Sequence, residues 1–155
     1  GVCPGDMEVV LVDDCSTDRS LEVAQRLAAG DPRVRVVPRP ENRGIAAALN
    51  LGFSLCRGEF VARLDADDVA LPGRLATQLE FLRAHPTVGV VGGSFRSFRD
   101  GEDPARGRLH RVRCHPELVR WQMLFACAVA HPTVVMRRAA LADRGAPAAA
   151  RAGRG

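Results

Sequence analysis

The sequence predicts an α/β fold in which a mostly parallel sheet is covered by helices on both faces. Between Glu8 and Val91, short apolar runs alternate with amphipathic stretches of helical period, the pattern that right-handed strand-helix-strand crossovers produce. Two of the apolar runs stop at aspartates, Val12 at Asp13-Asp14 and Leu64 at Asp65, and open parallel sheets bind ligands beyond the carboxyl ends of their strands. With 155 residues, 46% of them hydrophobic and 26% charged, the chain has the balance of one ordinary domain.

The first strand is read at Glu8 to Val12, and Cys15-Ser16-Thr17-Asp18 supplies capping residues for a helix over Ser20 to Ala29. Leu21, Ala24, Leu27 and Ala28 share its apolar face. Gly30-Asp31-Pro32 ends it before a strand at Val34 to Val37. A proline-rich loop through Asn42 and Gly44 leads to a helix over Ile45 to Cys56, with Ile45, Leu49, Phe53 and Cys56 inward. Phe60 to Leu64 is the third strand, and Arg74 to Ala84 a helix that turns Leu75, Leu79 and Leu82 to the core. Val88 to Val91 is the fourth strand. Beyond Gly92-Gly93 the alternation weakens: Phe95 to Phe98 reads as a strand, Gly101 to Arg113 as an irregular, basic, mobile loop, Pro116 as the opening of a helix, and Thr133 to Met136 as a strand after His131-Pro132. Gly145 to Gly155 is rich in Ala, Arg and Gly and offers no core face.

Composition removes several functions. The net charge of +4 comes entirely from arginine, since lysine is absent, and the arginines are dispersed. With one tryptophan, no tyrosine and no basic-aromatic cluster, nucleic-acid binding is not expected. Cys3, Cys15, Cys56, Cys114 and Cys127 never form C-x-x-C, so neither a disulfide framework nor a zinc site is indicated, and a reducing cytoplasm fits best. No apolar run has the length of a membrane span, so the expectation is a cytoplasmic protein, with a peripheral place on an anionic membrane as the variant that a basic balance allows.

Asp65-Ala66-Asp67-Asp68 is the candidate metal site. Crowded carboxylates without lysine or a fixed arginine call for a cation or a donor-rich ligand, and a hard divalent metal is the economical answer. Magnesium or manganese suits them, because such ions take one or two carboxylates together with substrate phosphates. If the strand continued beyond Leu64, Asp65 and Asp67 would point the same way with Cα atoms roughly 6 to 7 Å apart. Either the turn pinches the two carboxylates onto one ion, or one takes metal while the other binds elsewhere, for instance a sugar hydroxyl, with Asp67 the surer metal ligand of the two. The bland alternative is that Asp67 and Asp68 cap the next turn.

V-L-V-D-D-C-S-T-D, E-N-R-G-I-A-A-A-L-N-L-G, F-V-A-R-L-D-A-D-D and L-P-G-R-L-A-T-Q-L occur in this order at strand-helix junctions. Together, from Glu8 to Arg138, they resemble the inverting family 2 glycosyltransferases of the GT-A, Rossmann-like fold. The resemblance implies a nucleoside-diphosphate sugar as donor, a glycan, lipid or protein as acceptor, and work in cell-envelope polysaccharide biosynthesis. It implies that Asp14, with Asp13, holds the nucleotide base, that Asn42 and Gly44 line the loop beside it, and that Asp65 and Asp67 serve the donor and its metal. Turn capping by Asp13 and Asp14, and a plain helix start at Asn42 and Gly44, are the simpler alternatives. Arg43 and Arg63 are candidate phosphate or base contacts by proximity, and His131-Pro132-Thr133 matches a segment near the acceptor without joining the catalytic set.

The pattern also departs from the family. The Glu-Asp pair that supplies the base in an inverting transfer does not follow His131-Pro132-Thr133, so no catalytic residue is assigned, and Asp143 stands too early to replace it. Cys15 occupies a position where the family usually has glycine. The expectation is a partial domain over residues 1–144, truncated at both ends and able to hold donor and metal without completing transfer, followed by a disordered tail over 145–155. Two rivals use similar acids. A receiver-type signalling domain would need Asp13, Asp14 and Asp65 plus a lysine, and none exists. A haloacid-dehalogenase-type phosphatase carries its D-x-D after the first strand, whereas here it follows the third.

Overall fold

The computed structural model describes residues 7–112 and 129–142. Contacts divide the chain into two compact units, Gly1–Glu59 and Phe60–Gly155. The helix expected from Pro116, the tail from Gly145, Asp143, and three of the cysteines (Cys3, Cys114, Cys127) lie outside the described residues.

In the first unit, β1 (Val9–Asp13) and β2 (Val34–Pro38) pair in parallel, with Val9 opposite Val34 and Asp13 opposite Pro38. The ladder runs one rung further at each end: Val9 N–H donates to Arg33 O at 2.8 Å and Arg39 N–H to Asp13 O at 2.9 Å. Pro38 has no amide to give and stands where the strand ends. The connecting helix α1 (Ser20–Gly30) starts beside Asp18, whose Oδ1 accepts from Ser20 N–H at 2.9 Å. Leu21, Ala24 and Ala28 are partly buried, but Leu27 is 57% exposed. Positions i, i+3 and i+7 make a narrow stripe, and Leu27 lies to one side of it.

The second helix, α2 (Ile45–Leu55), begins after Gly44, whose φ of 80° with ψ of 167° is a combination that glycine alone adopts readily. Leu49 and Phe53 are partly buried, whereas Ile45 is 64% exposed because the first turn stands clear of the sheet. The helix packs on β1 closely enough that a Cβ on Gly52 would meet Val12 Cγ2 at 3.4 Å. At its far end, Glu8 accepts from the Arg57 amide at 2.6 Å and pairs with the Arg57 guanidinium at 3.1 Å. The amide bond above all, then the guanidinium, holds the Glu8 carboxyl below its ordinary 4.5 against the opposing effect of burial.

In the second unit, β3 (Phe60–Ala62) and β4 (Val90–Val91) flank β7 (Val135–Arg137), and both are antiparallel to it. Phe60 faces Arg137 and Val90 faces Met136. Thus β3 and β4 run the same way, with a reversed strand between them. The expected mostly parallel sheet is met in β1 and β2, while the pairings of this unit are antiparallel because β7 fills the gap running backwards. A middle strand has both backbone edges paired and both faces covered, and Val134, Val135 and Met136 are 5%, 1% and 7% exposed.

Helix α3 (Arg74–Ala84) lays Leu82, fully buried, and Leu75 and Leu79, partly buried, against this strand set. Its other buried residue is polar. Gln78 Nε2 donates to Thr133 O at 2.8 Å and Val91 O at 3.5 Å, while its Oε1 accepts from Arg74 Nε at 3.2 Å. Arg137 works likewise from β7: its amide donates to Gly89 O at 2.9 Å, its Nε to Val88 O at 3.1 Å, its guanidinium also to Leu82 O, and its charge lies 5.0 Å from the centre of the Phe60 ring.

The stretch read as an irregular loop is more ordered than expected. A 3-10 turn at Pro104–Arg106, capped by the Asp103 carboxylate accepting from Ala105 N–H at 2.9 Å, leads into β6 (Arg108–His110), which pairs antiparallel with β5 (Phe95–Ser97). His110 stacks on Phe95 with ring centres 4.7 Å apart and meets Ser97 Oγ at 2.9 Å. A Cβ on Gly107 would come within 2.5 Å of Ser97 O.

Two outcomes are expected. Gln78→Leu, which keeps the volume but leaves Thr133 O and Arg74 Nε without their Gln78 partner, lowers unfolding free energy by about 1–3 kcal/mol in urea denaturation. Glu8→Gln costs stability at pH 7 and little at pH 3: a carboxyl with a depressed folded pKa contributes above its unfolded value of 4.5 and loses that contribution as pH falls through the folded one.

Candidate functional site

The acids of the first unit follow β1. Asp13, the last residue of the strand, turns its Oδ2 to the Ser16 amide at 3.2 Å. That is a turn cap, the simpler of the two readings of this side chain. Asp14 behaves differently. Its Oδ1 accepts from Arg39 Nη1 at 2.5 Å and from the Arg43 amide at 3.2 Å, and the two paired side chains are only 19% and 10% exposed. Arg39 was not among the residues the sequence singled out. Parallel register was the available signal: Asp13 stands opposite Pro38, so the next rung sets Arg39 beside Asp14.

Cys15 then takes the left-handed conformation, with φ of 63°, and its Sγ lies 3.8 Å from Pro40 O. A side chain there costs about 1–2 kcal/mol, which is the physical reason a glycine would suit the position. Across the loop, Asn42 Oδ1 accepts from Gly44 N–H at 3.1 Å, so Asn42 shapes the turn into α2. A Cβ on Gly44 would meet nothing within 4 Å, and only its backbone angle requires glycine. The structure thus brings Asp14, Arg39 and the Arg43 amide together, and gives Asp13, Asn42 and Gly44 local roles in the same turns.

In the second unit, the last backbone rung after β3 is Arg63 N–H to Val134 O at 3.0 Å, and Leu64 beyond it is 50% exposed. The chain bends at once, with Asp68 N–H donating to Asp65 O at 3.1 Å, so the extended spacing of Asp65 and Asp67 does not apply. The expectation that no fixed arginine serves these acids is corrected. Arg63 forks Asp65 through Nε to Oδ1 at 2.9 Å and Nη2 to Oδ2 at 3.1 Å, and is itself 11% exposed. Arg74 Nη2 supports the turn by donating to Arg63 O at 2.8 Å.

Asp67 and Asp68 are exposed and accept no hydrogen bond among the described residues, and the residue before α3 is Gly73 with no side-chain cap. Neither aspartate is a helix cap. Desolvation raises the Asp68 carboxyl above its ordinary value, and the charges of Asp67 and Asp65 raise it further, with Arg74 and Arg63 opposing. No three His, Cys, Asp or Glu side chains gather into a closed metal cage among the described residues. Asp67, with Asp68 nearby, could hold a hard divalent ion of the kind that takes one or two carboxylates and fills the rest of its shell with water and phosphate oxygens.

His131-Pro132-Thr133 forms a 3-10 turn entering β7. Thr133 Oγ1 donates to Ala130 O at 2.7 Å and accepts from Gly93 N–H at 3.0 Å, while its carbonyl serves Gln78. Thr133 is therefore a structural junction. No helix of the described residues is long and apolar enough to cross a membrane.

Residues 3–145 match the family described as Glycosyl transferase family 2. Among curated proteins, the chain is 25% identical over 162 residues to the bifunctional glycosyltransferase pgtA of Dictyostelium discoideum, covering 86% of this chain and 21% of that one. It is 38% identical over 106 residues to the amylovoran biosynthesis glycosyltransferase AmsE of Erwinia amylovora, covering 68% and 38%. It is 42% identical over 103 residues to the chondroitin synthase of Pasteurella multocida, covering 66% and 11%. The chain thus spans well under half of the length of each. Among solved structures, it resembles a mannosyltransferase of Pyrobaculum calidifontis in complex with GDP-Man and Mn2+, with a TM-score of 0.63 and 27% identity, over 89% of this chain and 37% of that one.

The left-handed turn gives an immediate check. Cys15→Gly should leave stability within about 1 kcal/mol, since relief of strain offsets the greater freedom of the unfolded chain. Cys15→Val should cost about 1–2 kcal/mol, because a β-branched residue is a true outlier there. Urea midpoints of the two variants measure both.

Proposed function

Since the chain belongs to glycosyl transferase family 2, we propose that it carries the donor-binding part of an enzyme that moves a sugar from a nucleoside diphosphate to an acceptor hydroxyl with inversion. The reading is carried by the turn after β3. Arg63 neutralises Asp65, which leaves Asp67 as the carboxylate free to meet a divalent metal, magnesium or manganese, together with the donor's diphosphate. The metal would offset the negative charge that grows on the diphosphate as it leaves.

Asp14 supplies the acceptor for an N–H of the nucleotide base, with Asn42 and Gly44 shaping the loop beside it. Asp65 orders the turn and, through its Arg63 partner, sets a positive group near the donor. Asp13 caps its turn, Asp14 is paired with Arg39 and Asp65 with Arg63, so we assign the proton of the attacking hydroxyl to a base other than these three. The acceptor is a glycan, lipid or protein. The names of the amylovoran and chondroitin relatives support a part in polysaccharide biosynthesis, which we assign to the cell envelope and its cytoplasmic side.

Calorimetric titration of the chain with UDP and with GDP, each with and without Mn2+, tests the assignment. At least one nucleotide should bind more tightly with metal, by about tenfold or more, and Asp67→Asn should remove that gain while leaving the metal-free binding unchanged. Equal weak binding under both conditions would sink the metal site.

A further inference from the structure

Asp14 presents its two carboxylate oxygens unequally. A carboxylate has about four lone-pair positions, two on each oxygen. Arg39 Nη1 and the Arg43 amide take both positions on Oδ1, at 2.5 and 3.2 Å, and no described residue donates to Oδ2. The ion pair is largely enclosed, with Arg39 10% and Asp14 19% exposed, so the arrangement is fixed before any ligand arrives. The guanidinium is planar and presents its donors in a rigid fork.

We infer that Arg39 is a positioning residue that leaves Asp14 a single free oxygen, and thereby selects a base offering one N–H, uracil or thymine, against guanine. This rests on the nucleotide-site reading above. Guanine presents two adjacent donors, the ring N–H and the exocyclic amino group, which one carboxylate satisfies together only by offering both oxygens. Here Oδ1 is already filled. A guanine docked on Oδ2 leaves one donor without an acceptor on Asp14, and giving up a hydrogen bond to a charged acceptor weakens binding by about tenfold or more. Uracil and thymine have one N–H on that edge and leave nothing stranded.

Arg39 also fixes where Oδ2 points. Its loss would let the Asp14 side chain rotate and would open a second acceptor position. Arg39→Ala should therefore weaken UDP and spare or strengthen GDP, whereas Arg39→Lys, which still donates to Oδ1, should keep most of the preference.

The test is the ratio of UDP to GDP affinity in the presence of Mn2+, measured on the full chain for the parent, Arg39→Ala and Arg39→Lys, with thermal melting run alongside. Both ligands share the diphosphate and the metal, so the ratio reports the base alone. The expected result is a preference for UDP of about tenfold in the parent, near loss of that preference in Arg39→Ala, and its retention in Arg39→Lys. A variant that melts lower but keeps the parental ratio would make Arg39 structural only and would overturn the inference. So would GDP binding as tightly as UDP to the parent, with the nucleotide-site reading left standing. Binding of neither nucleotide would remove both readings. If Arg39→Ala fails to fold, Arg39→Gln and Arg39→Lys carry the comparison, because the parental ratio alone already decides against a guanine site or for one.

Discussion

Carboxylates gathered at strand ends repel one another, and two arginines hold this chain against that repulsion. Arg39 serves Asp14 in the first unit, and Arg63 serves Asp65 in the second. Each arginine is about nine-tenths covered, which raises the strength of its pairing above that of an exposed ion pair and makes the loss of either partner costly. The other ion pairs among the described residues are more open on at least one side, such as Arg19 with Glu22 on α1 at 77% and 54% exposure. They decorate helices and turns, whereas the covered pairs decide which carboxylate oxygens remain for a ligand.

The second unit is organised by a different constraint, the need to satisfy the backbone around a reversed middle strand. Its ladder to β3 and β4 is short, two or three residues on each side. Side chains finish what the strands leave open. Gln78 reaches from α3 to the carbonyls of Thr133 and Val91, and Arg137 reaches from β7 to those of Val88 and Leu82. No buried side-chain nitrogen or oxygen is left without a partner among the described residues, which is the condition under which a polar group in a core adds order instead of strain.

Much of this was legible in the sequence, and the parts that were not share a cause. Local signals, namely apolar period, caps and glycine punctuation, placed β1, α1, β2, α2, β3 and α3 within a residue or two of their observed ends, because those signals act within one element. Pairing acts between elements. The backward insertion of β7, the Arg39 contact to Asp14 and the burial of Gln78 each depend on which strand lies beside which, and the chain records that only indirectly. The fork between Arg63 and Asp65 was within reach, since residues i and i+2 of an extended strand share a face. The hairpin of β5 and β6 was hidden by composition: arginine, glycine and proline suggested a loop, while the pairing rests on one glycine, one stacked ring and a serine-histidine contact. At the acids, the cluster was legible as a unit, but its division of labour was not.

The two glycines that matter most to these loops constrain descent in different ways. At Gly44 the limit is a pair of dihedral angles, φ of 80° with ψ of 167° in open space, a combination essentially confined to glycine. At Gly107 the angle is ordinary, φ of −58°, and the limit is volume, because a Cβ would press on the Ser97 carbonyl from 2.5 Å. No second residue type can occupy that space without parting β5 from β6. A population of descendants would therefore keep glycine at both places, at the entrance to α2 because other residues cannot take its backbone angles, and in the hairpin because no other residue fits the space.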